Sequence, residues 1–220
     1  PESAAEAAQV LLDLAACALL RRLDDNGRRR LWALLPALLG DIARQADPVG
    51  VLRRVLKLLE AIGPRSAYFS LLHANSTARA RLVQLAGHGS FLVEQIAAYP
   101  LLLDELIDTR LFDLLPERAA MQSELTQRMT EVAADDEERQ VEQLRHFQRA
   151  AVFRVAVADL TGRLSIMRVS DRLTDIAELI IDQAMDLTWR HLTRQLGTPC
   201  CGSGDERRAV RICAVGYGKL

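Results

Sequence analysis

The 220 residues are half apolar and 26% charged, a balance typical of globular proteins that excludes a disordered chain. The formal net charge of −1, with acidic residues interspersed among the arginines, gives no bulk attraction to nucleic acid or to an anionic membrane. No uncharged apolar run reaches the roughly 18 residues of a membrane span, and no signal-peptide pattern is visible, so we expect a soluble, cytoplasmic protein.

Helix follows helix along most of the chain. Apolar residues at the three-and-four spacing of an amphipathic helix run up to Ile62, and Gly63–Pro64 ends that helix. Short amphipathic segments follow, separated by glycine and proline. They predict helices over Thr77–Ala86 with Ser76 as the N-cap, from Ser90 to Tyr99, and over Leu101–Ile107.

Three longer helices are predicted in the second half. Pro116 opens a helix that runs to about Ala134, and Asp135 with Glu138 resembles a capping box at the head of the next. That next helix ends at Gly162, and a last one follows Ser170 or Asp171 and ends at Gly197. The expected buried stripe of the helix that ends at Gly162 consists of Val141, Leu144, Phe147, Ala151, Val155 and Ala158.

The last residues have a different character. Thr198–Arg208 is a polar loop with glycines, and Ala209–Val215 is short, apolar and rich in β-branched residues, which predicts a strand. A lone strand is unstable because its backbone groups need partners. Together with a start at Pro1 rather than at a methionine, this predicts that the chain is a piece of a longer protein.

A turn of Gly216, Tyr217, Gly218 and Lys219 follows the predicted strand directly. Glycines after a strand let backbone N–H groups approach a phosphate closely. The spacing is that of neither a P-loop nor the dinucleotide-binding fingerprint, so a plain tight turn is an equal alternative on local chemistry alone.

No catalytic or metal-binding group is recognisable in the rest of the chain. The four cysteines have no metal-ligand spacing and read as reduced thiols, and the four histidines form no pair on one helix face. The acidic run from Asp135 to Glu138 fans around a helix start, where it favours the helix dipole. Asp171 and Asp175 have Arg168 and Arg172 beside them, which favours ion pairing.

Several stretches together resemble one family, the bifunctional glutamine synthetase adenylyltransferase/adenylyl-removing enzymes. Their order and spacing match from Arg65 to Leu220. The stretches are RSAY at Arg65–Tyr68, NSTARARLVQL at Asn75–Leu85, YPLLLDELID at Tyr99–Asp108, LRHFQRAAVFRVAVADLTG at Leu144–Gly162, MRVSDRLT at Met167–Thr174 and VGYGKL at Val215–Leu220.

The resemblance implies a mainly α fold, a multi-helix array that ends in the first strand of a nucleotidyltransferase-like α/β domain. It divides the chain into a helical linker or regulatory region at 1–63, the helical part of the adenylyltransferase half at 64–197, and the loop, first strand and glycine turn of the nucleotidyltransferase core at 198–220. The enzymes of this family attach AMP to a tyrosine of glutamine synthetase with one half and remove it by phosphorolysis with the other.

The resemblance also implies the site. Gly216, Gly218 and Lys219 match the loop that faces the ATP phosphates, and Arg154 and Asp159 are candidates for bracing the active site, with a local pair between them as the alternative. The two aspartates that bind Mg²⁺ in this family are not in this sequence. We therefore expect ATP and Mg²⁺ to serve the complete enzyme, no cofactor to be held by this chain alone, and no catalytic residue within it.

The expected partners are glutamine synthetase and the PII signal protein. Two other functions stay open on the sequence. The helices could form a non-catalytic module that docks glutamine synthetase or PII, or the chain could be a relative of the uridylyltransferase that modifies PII.

Overall fold

A computed structural model describes residues 2–16, 18–107, 116–203, 207–210 and 212–216. Within them it contains eleven α-helices, one short 3-10 helix and one two-stranded sheet, which confirms the mainly helical fold. The chain divides into two compact units. The first unit is formed by residues 1–115 and 156–163, and the second by residues 116–155 and 164–220.

The described residues of the first unit form eight α-helices, several of them short, and one 3-10 helix. In chain order they are α1 (Glu2–Ala16), α2 (Ala18–Arg22), α3 (Asp25–Ile42), α4 (Pro48–Ile62), the 3-10 helix Gly63–Arg65, α5 (Ala67–Ala74), α6 (Ser76–Gly87), α7 (Phe91–Ala98) and α8 (Leu102–Glu105).

Helices α3 and α4 are the centre of this unit. Each has an aspartate N-cap: Asp24 accepts a hydrogen bond from the Gly27 N–H at 2.6 Å, and Asp47 accepts one from the Gly50 N–H at 2.9 Å. Helix α3 packs against α4, α5 and α6, and helix α4 also packs against α1, α6 and α7. The leucines, isoleucines and valines on their inner faces are almost fully buried, so hydrophobic burial fixes the arrangement of the array.

One charged pair lies inside this apolar array. Arg79 of α6 donates to a carboxylate oxygen of Asp41 in α3 at 2.7 Å, and both side chains are about nine-tenths buried. Arg79 also donates to the Leu72 carbonyl at 3.1 Å, and Arg44 contacts the other Asp41 oxygen. The pair therefore links α3 to α6, because a buried charge without a partner is costly.

The predicted boundary at Gly63–Pro64 does end a helix, but the helices on either side of it pack together in the first unit. Gly63 is buried, and a Cβ at this position would overlap the Leu19 side chain. The assignment of residues 1–63 to a regulatory region stays a prediction.

Two details of the predicted helices in this unit are wrong. The N-cap of α6 is Asn75 rather than Ser76, because the Asn75 side chain accepts from the Ala78 N–H at 2.9 Å. Helix α8 is shorter than predicted, since it covers only Leu102–Glu105. Its end is tied to α6 by Arg81, which donates to the Leu106 carbonyl at 2.7 Å and so joins two of the stretches that carry the family resemblance.

The described residues of the second unit form three helices that are longer than most in the first. They are α9 (Arg118–Thr130), α10 (Glu137–Leu160), whose residues from Ala156 on are counted with the first unit, and α11 (Ile166–Leu196). Helix α10 is headed by Asp136 rather than by the predicted Asp135, because Asp136 accepts from the Arg139 N–H at 3.1 Å.

Two further predictions in this part are corrected. Helix α11 begins at Ile166, before the predicted Ser170, with Ser165 in an extended conformation ahead of it. In the predicted stripe of α10 every member is buried except Val141, which is 41% exposed. Gly162 follows α10 with φ = +69°, a left-handed conformation that explains why the helix ends at a glycine.

The predicted strand Ala209–Val215 is only partly confirmed. Arg208–Ala209 forms a strand (β2) that pairs antiparallel with Cys200–Cys201 (β1), and Cys200 lies opposite Ala209. The described residues from Ile212 to Gly216 belong to no strand. The predicted polar loop thus supplies a partner for the start of the strand. The sequence did not predict this partner, because Thr198–Arg208 lacks an apolar period. No described helix is both long enough and apolar enough to span a bilayer.

We expect Asp41→Ala to lower the free energy of unfolding by about 3 kcal/mol, because it leaves the buried Arg79 guanidinium without its carboxylate. Urea denaturation followed by circular dichroism measures this loss. Asp25→Ala is the matched control: Asp25 pairs with Arg28 at the surface, and its removal should leave the midpoint unchanged. Equal effects of the two substitutions would contradict the role of the buried pair.

Candidate functional site

The predicted phosphate-facing turn begins at Gly216, which is exposed. Gly218 and Lys219, the other two residues predicted to bind nucleotide, lie outside the described residues. The segment that leads to the turn, from Ile212 to Val215, is exposed and has no strand partner within the described part of the chain. Its backbone N–H and C=O groups are therefore available for pairing with another strand.

An open cavity of about 440 Å³ lies beside this segment. One wall is a single face of helix α11, whose residues recur at the three-and-four spacing, and the other is the extended segment before Gly216. The lining residues are Asp182, Met185, Asp186, Trp189, Ile212, Cys213 and Ala214. Asp186 forms an exposed ion pair with Arg190 at 3.1 Å. Helix α11 and the chain just before the predicted turn therefore border the same cavity.

Arg154, predicted to brace the site, is buried in the second unit, which also contains Gly216. Its guanidinium binds both carboxylate oxygens of Glu124 in α9, at 2.9 and 3.1 Å. Glu124 also accepts from Arg128, one turn further along α9, at 2.6 Å. This fork-to-fork geometry is the strongest form of an arginine–carboxylate pair, and it joins α9 to α10.

An aromatic ring completes this cluster. The Arg128 guanidinium lies 5.9 Å from the centroid of the Phe147 ring, within the range of a cation–π contact. Phe147 is fully buried, as its place on the apolar stripe of α10 predicts. We call Glu124, Arg128, Phe147 and Arg154 the α9–α10 cluster.

The electrostatics of Glu124 follow from its two arginines. Burial by itself raises the pKa of this carboxyl, but the hydrogen bonds and charges of Arg154 and Arg128 outweigh burial and hold the pKa below its ordinary value. Glu124 is therefore ionised at neutral pH and compensates the buried charge of Arg154.

Asp159, the second predicted bracing residue, has an exposed side chain near the end of α10. Its backbone carbonyl accepts from the Gly162 N–H at 2.9 Å, in the turn that ends the helix. Asp159 belongs to the first unit, whereas Arg154 belongs to the second. Its role in the site stays a prediction.

A second set of ion pairs connects α9 with α11. Arg118 contacts Glu178, and it lies 3.5 Å from Asp175, which also pairs with Arg172 at 3.1 Å. The Arg172–Asp175 pair confirms the ion pairing expected in this stretch. Arg118 and Glu124 were missed by sequence reasoning because their partners are far along the chain. The only local signal was the spacing of Glu124 and Arg128, four residues apart on one helix.

The described residues contain no group of three histidine, cysteine, aspartate or glutamate side chains that could hold a metal ion.

Comparison with known proteins adds to this geometry. A family model described as glutamate-ammonia ligase adenylyltransferase matches residues 79–220. Curated relatives are named bifunctional glutamine synthetase adenylyltransferase/adenylyl-removing enzyme. The Pseudomonas putida protein is 44% identical over 98% of this chain and 22% of its own length. The Nitrosococcus oceani protein is 38% identical over 98% of this chain and 22% of its own length. The Hahella chejuensis protein is 37% identical over 100% of this chain and 23% of its own length. The chain thus spans less than a quarter of the length of these relatives.

We expect Glu124→Gln to lower the free energy of unfolding by about 3 kcal/mol at neutral pH, because it leaves the buried Arg154 charge uncompensated. A carboxyl whose folded pKa is depressed stabilises the protein above its unfolded pKa, and this stabilisation is lost as the pH falls through the folded value. The native protein should therefore lose stability as the pH falls below about 4.5, and the variant should lose less.

Urea denaturation at pH 7 and at steps below pH 5 measures both effects. Glu178→Gln is the matched control, because it breaks an ion pair of α11 that is half exposed. Identical pH profiles for the native protein and Glu124→Gln would show that the α9–α10 cluster does not depend on this charge.

Proposed function

The chain belongs to the glutamate-ammonia ligase adenylyltransferase family, and we propose that it forms the helical part and the first turn of the half that transfers AMP from ATP to a tyrosine of glutamine synthetase. The observation that carries this proposal is the family match over residues 79–220, which includes both the α9–α10 cluster and the predicted turn. The proposed regulatory consequence is control of nitrogen assimilation through the modification of glutamine synthetase.

In this proposal the triphosphate of ATP lies over the turn that begins at Gly216. Backbone N–H groups at Gly216 and Gly218 donate to phosphate oxygens, because no side chain keeps the backbone away from them. The Lys219 ammonium pairs with a phosphate oxygen and neutralises part of its charge. The exposure of Gly216 and of the segment before it supports this arrangement, since a ligand can reach both.

Magnesium, when bound, would supply further neutralisation of the phosphate charge in the complete enzyme. No described residue is assigned to it, because the two aspartates that the resemblance assigns to Mg²⁺ are not in this sequence. The chemical step, attack of a tyrosine hydroxyl on the α-phosphate, therefore needs residues beyond those described, and we propose that the chain alone does not perform it.

The helices have a positioning role in this proposal. The Arg154–Glu124 pair joins α9 to α10, and α11 borders the same cavity as the segment that leads to Gly216. Arg154 thus acts through the rigidity of the second unit and does not touch the nucleotide. The proposed role of residues 1–63 is regulatory, and the proposed partners of the complete enzyme are glutamine synthetase and PII.

The family match supports an adenylyltransferase over a relative of the PII uridylyltransferase. The alternative of a non-catalytic docking module is compatible with the same helices, since the complete enzyme needs both catalysis and docking.

We expect Lys219→Ala in the complete enzyme to lower kcat/KM for ATP about 100- to 1,000-fold, because a cation aimed at the phosphate is lost. Lys219→Arg keeps the charge and should retain part of the activity. Lys57→Ala is the control, because Lys57 is the only other lysine and its side chain is 74% exposed. The measurement is transfer of labelled AMP to glutamine synthetase at varied ATP, and equal activities for Lys219→Ala and Lys57→Ala would contradict the proposed role.

We expect the 220-residue chain alone to transfer no AMP to glutamine synthetase, because the two aspartates that the resemblance assigns to Mg²⁺ are not in its sequence. Incubation with labelled ATP, Mg²⁺ and glutamine synthetase, followed by electrophoresis, tests this. Clear labelling above a sample without the chain would overturn the proposal that the catalytic carboxylates lie elsewhere.

A further inference from the structure

Helix α3 is apolar on both sides for ten residues. Residues 31–40, LWALLPALLG, contain no charged or hydrogen-bonding side chain except the indole of Trp32. The inner face of the helix packs into the core of the first unit through Leu31, Leu34, Leu35 and Leu38. A helix that is apolar all round is normally buried all round, so the outer face of α3 needs an explanation.

That outer face is open to solvent. Trp32 is 55% exposed, and Ala33, Pro36 and Gly40 are also exposed. Trp32, Pro36 and Gly40 are four residues apart and Ala33 is next to Trp32, so together they cover about 12 Å along the helix axis. We call them the Trp32 face. An exposed tryptophan beside small residues is the composition of an interface anchor, because tryptophan dominates the energy of protein interfaces.

Two residues of the Trp32 face disfavour a helix without serving the unit itself. Proline inside a helix costs up to about 3 kcal/mol and leaves the Trp32 carbonyl without its usual donor four residues on. A Cβ at Gly40 would meet nothing within 4 Å. Intramolecular packing therefore does not require a glycine there, whereas small residues let a second helix approach closely.

The surroundings of the Trp32 face are basic. Arg28 and Arg29 lie one helical turn before it and are exposed, as are Arg21 and Arg22 at the end of α2. Two carboxylates lie among these four arginines, Asp24, which caps α3, and Asp25, which pairs with Arg28 at 2.8 Å, so positive charge is in excess there. At the other end Arg44 follows α3. Its side chain is 71% exposed and contacts Asp41, which Arg79 also binds.

This charge pattern selects the partner. A second copy docked antiparallel would bring Arg28 and Arg29 opposite Arg44, and like charges across an interface are unfavourable. Nucleic acid needs phosphate contacts along its backbone, and the 12 Å of the Trp32 face offer none. We propose that the Trp32 face binds an acidic amphipathic helix of a partner protein. The apolar stripe of that helix covers Trp32, and its carboxylates meet the arginines at both ends of the face.

The test uses the full 220-residue chain and two synthetic probes. Both are amphipathic helices with leucines at the three-and-four spacing; one carries glutamates on both flanks and the other carries lysines. Calorimetry measures affinity. Trp32 fluorescence is followed in a Trp189→Phe background, so that Trp32 is the only tryptophan. We expect the glutamate probe to bind at least about tenfold tighter than the lysine probe and to shift Trp32 emission to the blue.

Variants separate the proposed face from the rest of the surface. Gly40→Gln places a longer side chain in open space. It should lower the affinity for the glutamate probe at least about tenfold and leave the thermal unfolding temperature unchanged. Arg29→Gln should weaken it too and reduce its salt dependence. Arg53→Gln, an exposed arginine of α4, is the matched control and should have no effect.

Three results with the two probes and the free chain would overturn the proposal, and a fourth concerns RNA. They are equal binding of the two probes, binding of the glutamate probe that is insensitive to Gly40→Gln, and a chain that forms dimers in sedimentation which Gly40→Gln dissolves. Tighter binding of a single-stranded RNA than of the glutamate probe would also overturn it. None of these readouts involves AMP transfer, so a failure here would leave the proposed enzyme function untouched.

Discussion

The burial of Arg154 is the constraint on which the second unit depends. A guanidinium can be buried in a helical core only if a carboxylate meets it, and Glu124 does so with both oxygens at 2.9 and 3.1 Å. This requirement fixes α9 against α10, and Arg128 over Phe147 extends the same contact. The charge pair therefore adds geometric selectivity that apolar packing alone does not give.

The first unit meets the same constraint in another place. Asp41 and Arg79 join α3 to α6 inside an otherwise apolar array, and backbone carbonyls accept the remaining arginine donors. The outer face of α3 differs, because its residues do not hold the first unit together. Its Trp32, Pro36 and Gly40 contribute little to the unit, which is why a partner outside it is the physical explanation that we propose.

In the proposed function the helices position the nucleotide site and supply no reacting group to it. The segment before Gly216 borders the same cavity as α11, and α11 is bound to α9 by the ion pairs of Arg118. A turn that binds phosphate must be held in place, because misplacement of the reacting groups costs much of the rate. The helical part of such an enzyme can therefore matter for catalysis without contributing a reacting atom.

The sequence by itself determined the mainly helical fold, most helix ends and the family, because apolar spacing, glycine and proline act locally and the family stretches are read directly from the residues. Two of its errors were local: Asn75 rather than Ser76 caps α6, and Asp136 rather than Asp135 precedes α10. The tertiary structure alone decided which charges meet. Glu124 and Arg154 are 30 residues apart, and Asp41 and Arg79 are 38 apart. No periodicity connects such pairs, since their contact is a consequence of how whole helices pack.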